Sequence, residues 1–356
     1  MPKWCCSILI TIPIFLTLIS CSGESRKTAV SENASAQQQV KSRLDTIKSR
    51  GKLICGVSGE LPGFSFVRAD GKYAGLDVDI CRAIAAAIFN NPNAVQFRNL
   101  NAKERFTAVQ TGEVDVLSRN TTLTLGRDTS VKMEFAPVIF YDGQGMMVRK
   151  DSGLKKLEDL KGKPICTQTG TTNEQNLADQ MRRRGLPYKP VVFEDVNTAY
   201  TAYAEGRCDA VTSDRSQLLS RRTALPKPQD HEILNVVMSK EPLAPAVAEG
   251  DTRWANIVRW VVYTLIEAEE LGINSQNVTQ LTKSKDPLFR RFLGVEGSLG
   301  KGLGLSNDFT VRIIKAVGNY GEIYNRNLGP KTALKLDRGP NNLWTKNGLL
   351  YAPPFR

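Results

Sequence analysis

Two stretches of the chain say nearly the same thing. TGEVDVLSRNTT starts at Thr111 and EGRCDAVTSDRS at Glu205. In each, a glycine (Gly112, Gly206) leads to an aspartate (Asp115, Asp209). Two apolar residues and a hydroxyl follow: Val116-Leu117-Ser118 and Ala210-Val211-Thr212. Phe106 and Tyr200 precede their glycines at one spacing, Ala108 and Ala202 at another. Internal self-similarity of this kind marks a unit built twice. Each unit reads as a helix, a glycine stop and a buried strand, so the chain is expected to form two related α/β lobes. The copies part where charge appears: Arg127 follows the first and Asp214 closes the second.

The rest of the chain fits that reading. RLDTIKSRG predicts a helix and KLICGV a strand, and Gly71 and Gly75 bracket a hairpin-like turn. In GLDVDICRAIAAAIF, Leu76, Ile80, Ala83, Ile84, Ala87 and Ile88 recur at helical spacing. QFRNL is a short strand, residues 102–111 a helix and VDVLS a strand. This β-α-β-α-β order predicts a mainly parallel sheet flanked by helices. A second such set runs from KPICTQTG to a helix over 215–222, and a helix over 252–271 follows. Extended runs near 138–149 and 233–241 bracket the second set. If both cross between lobes, residues 141–239 are an insert. Residues 44–140 plus 240–356, with a C-terminal extension, then make the other lobe. Two hinge crossings and a cleft result, and ligands of open α/β sheets bind beyond the carboxyl ends of the strands.

A chain of 356 residues is long enough for two lobes. Its net charge of +12 raises nucleic acid as a partner. The basic residues are scattered, however, and Arg182-Arg183-Arg184 and Arg221-Arg222 carry no interleaved aromatics. A solvated basic surface, or one facing an anionic membrane, is the reading taken, and nucleic acid is not expected.

The N-terminus reads as a signal peptide over residues 1–20: Lys3 is the only charge before an apolar run over 8–19 that is short for a bilayer span. Leu18-Ile19-Ser20-Cys21 resembles a bacterial lipobox, in which Cys21 would become the lipidated first residue; the alternative is an ordinary signal that contains a cysteine. Residues 21–43 have the polar composition of a flexible tether. Of seven cysteines, Cys55, Cys81, Cys166 and Cys208 lie beyond this region. An even count in an exported chain permits disulfides. Cys55–Cys81 and Cys166–Cys208 would each stay within one lobe; four small buried hydrophobes is the other reading. The mature chain has no CxxC and only one histidine, His231, so neither a metal nor a cofactor is expected.

No GxSxG, Walker, HExxH or GxGxxG sequence is present. A lone His231 in what reads as a surface loop removes the commonest general base. What remains points to binding. SRNTTLTLGRDTS places hydroxyls and amides before Arg127, whose planar fork suits a carboxylate. TQTGTTNEQNL places a strand, a glycine and hydroxyls before a helix, whose first-turn N–H groups are free to meet a ligand. Thr171 or Thr172 serves equally as an N-cap. Asp214 after AVTS suits an ammonium group, or caps the next helix.

These stretches resemble the extracytoplasmic solute-binding proteins of polar amino acid ABC transporters, over about residues 44–270. The similar segments are GLDVDICRAIAAAI, RNTTLTLGRD with FAPVIFYDGQGMMV, GTTNEQNL and GRCDAVTSD. The tail from RRFLGVEGSLG to YNRNLGP is similar to the branch called general L-amino acid binding proteins. The resemblance implies a two-lobed type II periplasmic-binding-protein fold and roles for particular residues. Arg127 would pair with the ligand α-carboxylate, supported by Thr122 and Asn120, with Thr172 adding a donor from the other lobe. Asp214 would take the α-ammonium. Phe64 and Ser58 would border the side-chain pocket; Gly63 stands where the family often has proline, Ser58 where basic-selective relatives have an acid. Ala102 replaces an aromatic lid. These departures imply a roomy pocket of broad specificity. Arg119 would steer acidic side chains, or make a surface or hinge salt bridge. A monomeric, lipid-anchored periplasmic protein that delivers amino acids to an inner-membrane permease is the implied whole. A dehydratase-like enzyme on the same fold and an amino-acid presenter to a sensory receptor are the alternatives.

Overall fold

The computed structural model describes residues 42–356, and these pack as one unit. The stretch read as a signal peptide, Cys21 and the stretch read as a tether, as far as residue 41, lie outside the described residues.

The repeated stretches fold alike for a local reason. The helices Arg105–Gln110 and Val196–Ala204 end just ahead of Gly112 and Gly206, whose φ values are 77° and 82°. Only glycine takes that left-handed turn without strain, so both helices stop there. Asp115 and Asp209 then join their sheets in the same manner. The Asp115 N–H donates to the Ile54 carbonyl at 2.8 Å and the Asp209 N–H to the Pro164 carbonyl at 2.9 Å. The strands Val116–Leu117 and Ala210–Asp214 follow, wholly buried.

Each copy sits in its own five-strand path. The first runs Val95–Asn99, Leu53–Val57, Val116–Leu117, Ala246–Ala248, Met133–Phe135; the second runs Lys189–Phe193, Pro164–Gln168, Ala210–Asp214, Phe140–Arg149, His231–Ile233. The mainly parallel sheets expected from the sequence are in fact half antiparallel: two pairings in each path are parallel and two antiparallel. The antiparallel half is built where the chain leaves one lobe and returns, because a returning strand needs no helical crossover. Ala246–Ala248 belongs to the first sheet although the whole second sheet precedes it in sequence.

The ten-residue strand Phe140–Arg149 joins the lobes. Its first part pairs with Lys240–Leu243, with Tyr141 opposite Pro242 and Asp142 opposite Glu241. Proline has no N–H, so it is tolerated where the backbone points out of the ladder. There the Pro242 carbonyl accepts from Leu123 N–H at 2.8 Å. Tyr141 also points outward, and the buried Asn341 satisfies both its backbone groups: the Tyr141 N–H donates to Asn341 Oδ1 at 2.6 Å and Asn341 Nδ2 donates to the Tyr141 carbonyl at 3.1 Å.

The C-terminal segment is core material. Thr252–Glu270, Phe309–Val317 and Tyr320–Asn327 bury Val258, Ile313 and Tyr324 in the same apolar cluster as Cys55 and Ile84, and Leu343, Leu350 and Phe355 close it. Disulfides link Cys55 to Cys81 and Cys166 to Cys208. The surface loop expected around His231 is instead an edge strand, with the imidazole buried and its Nδ1 2.9 Å from Tyr203 Oη. Pairing with Phe140–Arg149 outweighs the flanking charges there.

Candidate functional site

The lobes meet along the carboxyl ends of both central strands. Asn120 and Asp214 hold equivalent places in the two copies, each after the strand's hydroxyl residue, and they face one cleft. Asn120 is fixed from behind: its N–H donates to Asp77 Oδ2 at 3.0 Å, and its Nδ2 crosses to Gln217 Oε1 at 3.2 Å. Further contacts close the lobes together. Ser220 Oγ donates to the Pro62 carbonyl at 2.8 Å, and Lys103 pairs with Glu194 at 2.7 Å.

Asp214 is 4% exposed, and its Oδ1 accepts from Asn173 Nδ2 at 2.9 Å. Burial holds its carboxyl well above the usual range, and the neighbouring Asp142 and Glu241 push the same way. Such an acid gains most from a cation brought within reach. Across from it stand three guanidiniums of the first lobe, all buried. Arg119 lines the cleft with Nε donating to the Leu100 carbonyl at 2.8 Å, and burial pushes its pKa down to about 10. Arg127 follows the N-cap Thr124; its Nη1 donates to the Thr122 carbonyl at 2.7 Å, and burial lowers its pKa. Arg105, which sequence reasoning missed, lines the cleft directly. Arg105 and Arg127 both lie against the ring of Phe106, at 4.8 and 5.2 Å.

Glu241 was also missed. It is 1% exposed, on the returning hinge strand. Thr122 Oγ1 of one lobe and Thr172 Oγ1 of the other both donate to its Oε2, at 2.6 and 2.8 Å. Asn176 Nδ2 donates to Oε1 at 2.8 Å, and Ser239 Oγ donates there too. The two threonine hydroxyls assigned to a ligand carboxylate thus hold a carboxylate of the chain itself. Both threonines still line the enclosed space, as do Thr171 and Asn173 at the start of the Thr172–Arg183 helix. Thr171 caps that helix, its Oγ1 accepting from Glu174 N–H at 3.2 Å.

Two sequence assignments lie elsewhere. Phe64 is in the first lobe's core, edge-on to Phe140 at 5.2 Å. Ser58 is buried behind the cleft, its N–H donating to Ser65 Oγ at 3.0 Å. Neither lines the enclosed space, and Arg127 is not part of its lining either; it stands behind Thr122, whose carbonyl it holds. The missed residues carried faint signals: Arg105 stands where the second copy has Ala199, and Glu241 is an acid in an otherwise extended crossing run. The enclosed space is about 20 Å³, room for little more than a water molecule. A larger guest therefore requires side chains or lobes to part. Among the described residues no group of three or more His, Cys, Asp or Glu side chains is placed to hold a metal ion. The lining is suited to holding charge of both signs at once.

Comparison with known proteins agrees in family and fold. Residues 53–276 match the family model for bacterial extracellular solute-binding proteins, family 3. The general L-amino acid-binding periplasmic protein AapJ of Rhizobium johnstonii is 50% identical over 315 residues, covering 88% of this chain and 92% of the relative. The glutamate/glutamine/aspartate/asparagine-binding protein BztA of Rhodobacter capsulatus is 48% identical over 316 residues, covering 88% and 94%. A solved structure of an ABC transporter periplasmic binding protein from Brucella ovis, with glutathione bound, is similar with a TM-score of 0.86 at 49% identity, covering 88% of this chain and 99% of that one.

Proposed function

The chain belongs to the bacterial extracellular solute-binding proteins, family 3, and on that premise we propose that it captures L-amino acids of many kinds in the periplasm and hands them to the permease of an ABC transporter. One observation carries the reading: a buried acid of one lobe, Asp214, faces buried guanidiniums of the other across a shared cleft. The names of AapJ and BztA support an amino acid as the guest.

In this reading Arg127, with the backbone at Thr122 and Thr172, takes the α-carboxylate, and Asp214 takes the α-ammonium. A zwitterion bridges the lobes, so its binding favours the closed form over the open one. A solute lacking either charge leaves a buried partner unpaired, at a cost of about 3–5 kcal/mol. Lipidation at Cys21 would keep this monomer near its permease. The chain acts as a carrier and not as an enzyme; a cyclic acid of the prephenate type would leave the cleft unchanged.

A thermal-shift screen over the common L-amino acids, glutathione, sugars and divalent metals tests this. Many neutral and polar L-amino acids should raise the melting temperature, and Arg127→Ala should abolish the rise. Asp214→Asn should weaken amino acids far more than the matching deaminated acids. Stabilisation by sugars or metals alone would overturn the reading, as would equal losses for the two ligand sets in Asp214→Asn.

A further inference from the structure

The C-terminal extension helps to build a second cavity, which that scheme leaves unused. Its turn over residues 329–336 packs on the small sheet Glu60–Leu61, Ser65–Val67, Tyr73–Ala74. Gly63, in the first loop of that sheet, has a φ of 85°, and a Cβ added there would lie 2.4 Å from Leu334 Cδ1. The close fit makes one wall of the two segments. Between this wall and the helices Leu76–Phe89 and Tyr320–Asn327 lies a cavity of about 520 Å³. That is the size of a small-molecule site and far larger than the enclosed space between the lobes.

The lining has two characters. Phe66, Ala74 and Leu334 are apolar, while Arg68, Arg82 and Arg326 bring three guanidiniums. The carboxylate among them, Asp79, is 5% exposed and already engaged. Its Oδ2 accepts from Arg326 Nε at 2.9 Å and from Asn327 Nδ2 at 2.7 Å, and its Oδ1 from Arg82 Nη1 at 3.3 Å. Arg326 Nη2 also meets Asp79, at 2.9 Å. Arg82 Nη2 donates to the Tyr73 carbonyl, and Arg68 gives Nε and Nη2 to Asp70, which is not part of the lining. Each guanidinium thus keeps one nitrogen with no partner among the described residues: Arg68 Nη1, Arg82 Nε and Arg326 Nη1. Three cations against two acids leave one positive charge over, and guanidinium N–H groups pair well with a carboxylate.

The cavity also reaches the lobe boundary. Thr223, just past the second-lobe helix Arg215–Arg222, lines it together with Pro62 of the first lobe. Beside them Ser220 Oγ donates to the Pro62 carbonyl across the boundary. The wall is therefore complete only with the lobes together. We propose that this cavity is a second ligand site, for a small carboxylate with an apolar body, and that filling it favours the closed form. A ligand held by a wall that both lobes make shifts the molecule toward the form in which that wall exists. By linkage it tightens the hold on a guest in the cleft by the same factor as that guest tightens it. The site itself does not depend on the amino-acid reading; only the link to a cleft guest does.

Benzoate serves as the probe, with benzyl alcohol as its uncharged counterpart and inorganic phosphate as an anion without an apolar body. Titration calorimetry on the purified chain should show saturable benzoate binding, at least about tenfold tighter than that of either control. Ala333 is exposed at the rim, so Ala333→Glu sets a carboxylate there without disturbing a packed group. It should weaken benzoate at least about tenfold, and Arg68→Gln should weaken it by a smaller factor. Neither should change the affinity for L-alanine measured without benzoate. Saturating benzoate should tighten L-alanine, and the gain should vanish in Ala333→Glu. Absence of saturable benzoate binding would overturn the proposal, as would a control that binds as tightly, or benzoate affinity unchanged in both variants. Competition between benzoate and L-alanine, or loss of benzoate binding in Arg127→Ala, would place the probe in the cleft and overturn it too. Benzoate binding without any effect on L-alanine would overturn the link to closure. A chain that binds benzoate as described but no amino acid would keep the site and overturn the amino-acid reading.

Discussion

Asp77 shows how the residues behind a site carry part of its energetics. It is 1% exposed and receives the Asn120 N–H, while Ser118 Oγ donates to its other oxygen at 3.2 Å. Burial pushes its pKa up to about 6, against the pull of those bonds. The folded chain therefore holds this proton more tightly than the unfolded chain does. The associated stability is complete below about pH 4 and is lost as pH rises through 6. Relative to Asp77→Asn, the unmodified chain should lose on the order of 3 kcal/mol across that window. Denaturant melts of both at several pH values measure this, and a constant difference would contradict it. The same scale explains what the sequence could reveal. Asp214 and Arg127 could be singled out as candidates because they follow the two copies of a repeat, where a charge breaks the likeness; their burial was not readable there. Arg105 could not be, because an arginine inside a helical stretch reads as surface until its burial is known. Glu241 was hidden for another reason: its four donors come from both lobes and from Ser239, just ahead of its own strand. Phe64 sits near the cleft in sequence but turns into the core.

At the scale of elements, the repeat carried most of the fold. A helix stopped by glycine and followed by Asp and two apolar residues specifies a buried strand and its neighbour, and it does so twice. The antiparallel returns were not legible, because pairing direction depends on where the chain comes back, which no local pattern encodes. One disulfide ties the strand Leu53–Val57 to the helix Leu76–Phe89 and the other ties the strand Pro164–Gln168 to the turn ahead of Ala210–Asp214, closing separations of 26 and 42 residues. Loop-closure entropy assigns each about 3–4 kcal/mol. Cys166→Ala/Cys208→Ala is expected to lower the melting temperature and to leave the first lobe's disulfide intact. Mass mapping and calorimetry check both, and an unchanged melting temperature would refute the contribution.

At the scale of the whole molecule, one carboxylate joins three parts. Glu241 is carried by the hinge and accepts from Thr122 of the first lobe and from Thr172 and Asn176 of the second. Glu241→Gln replaces one acceptor oxygen with a donor that faces other donors, so the closed arrangement loses about 1–3 kcal/mol. Small-angle scattering of the ligand-free chain should show a larger radius of gyration for this variant than for the unmodified chain; equal radii would show that Glu241 does not bias closure. The other side of the same ladder has a different tenant. Tyr141 is gripped by the amide of Asn341, a residue from near the end of the chain, where a further strand would otherwise lie. Three positions on, the half-exposed indole of Trp344 rests on Glu270. Bending at the crossing is thus expected to shift the segment that carries this indole, and in a chain whose other tryptophans are replaced its emission should change colour when a guest arrives.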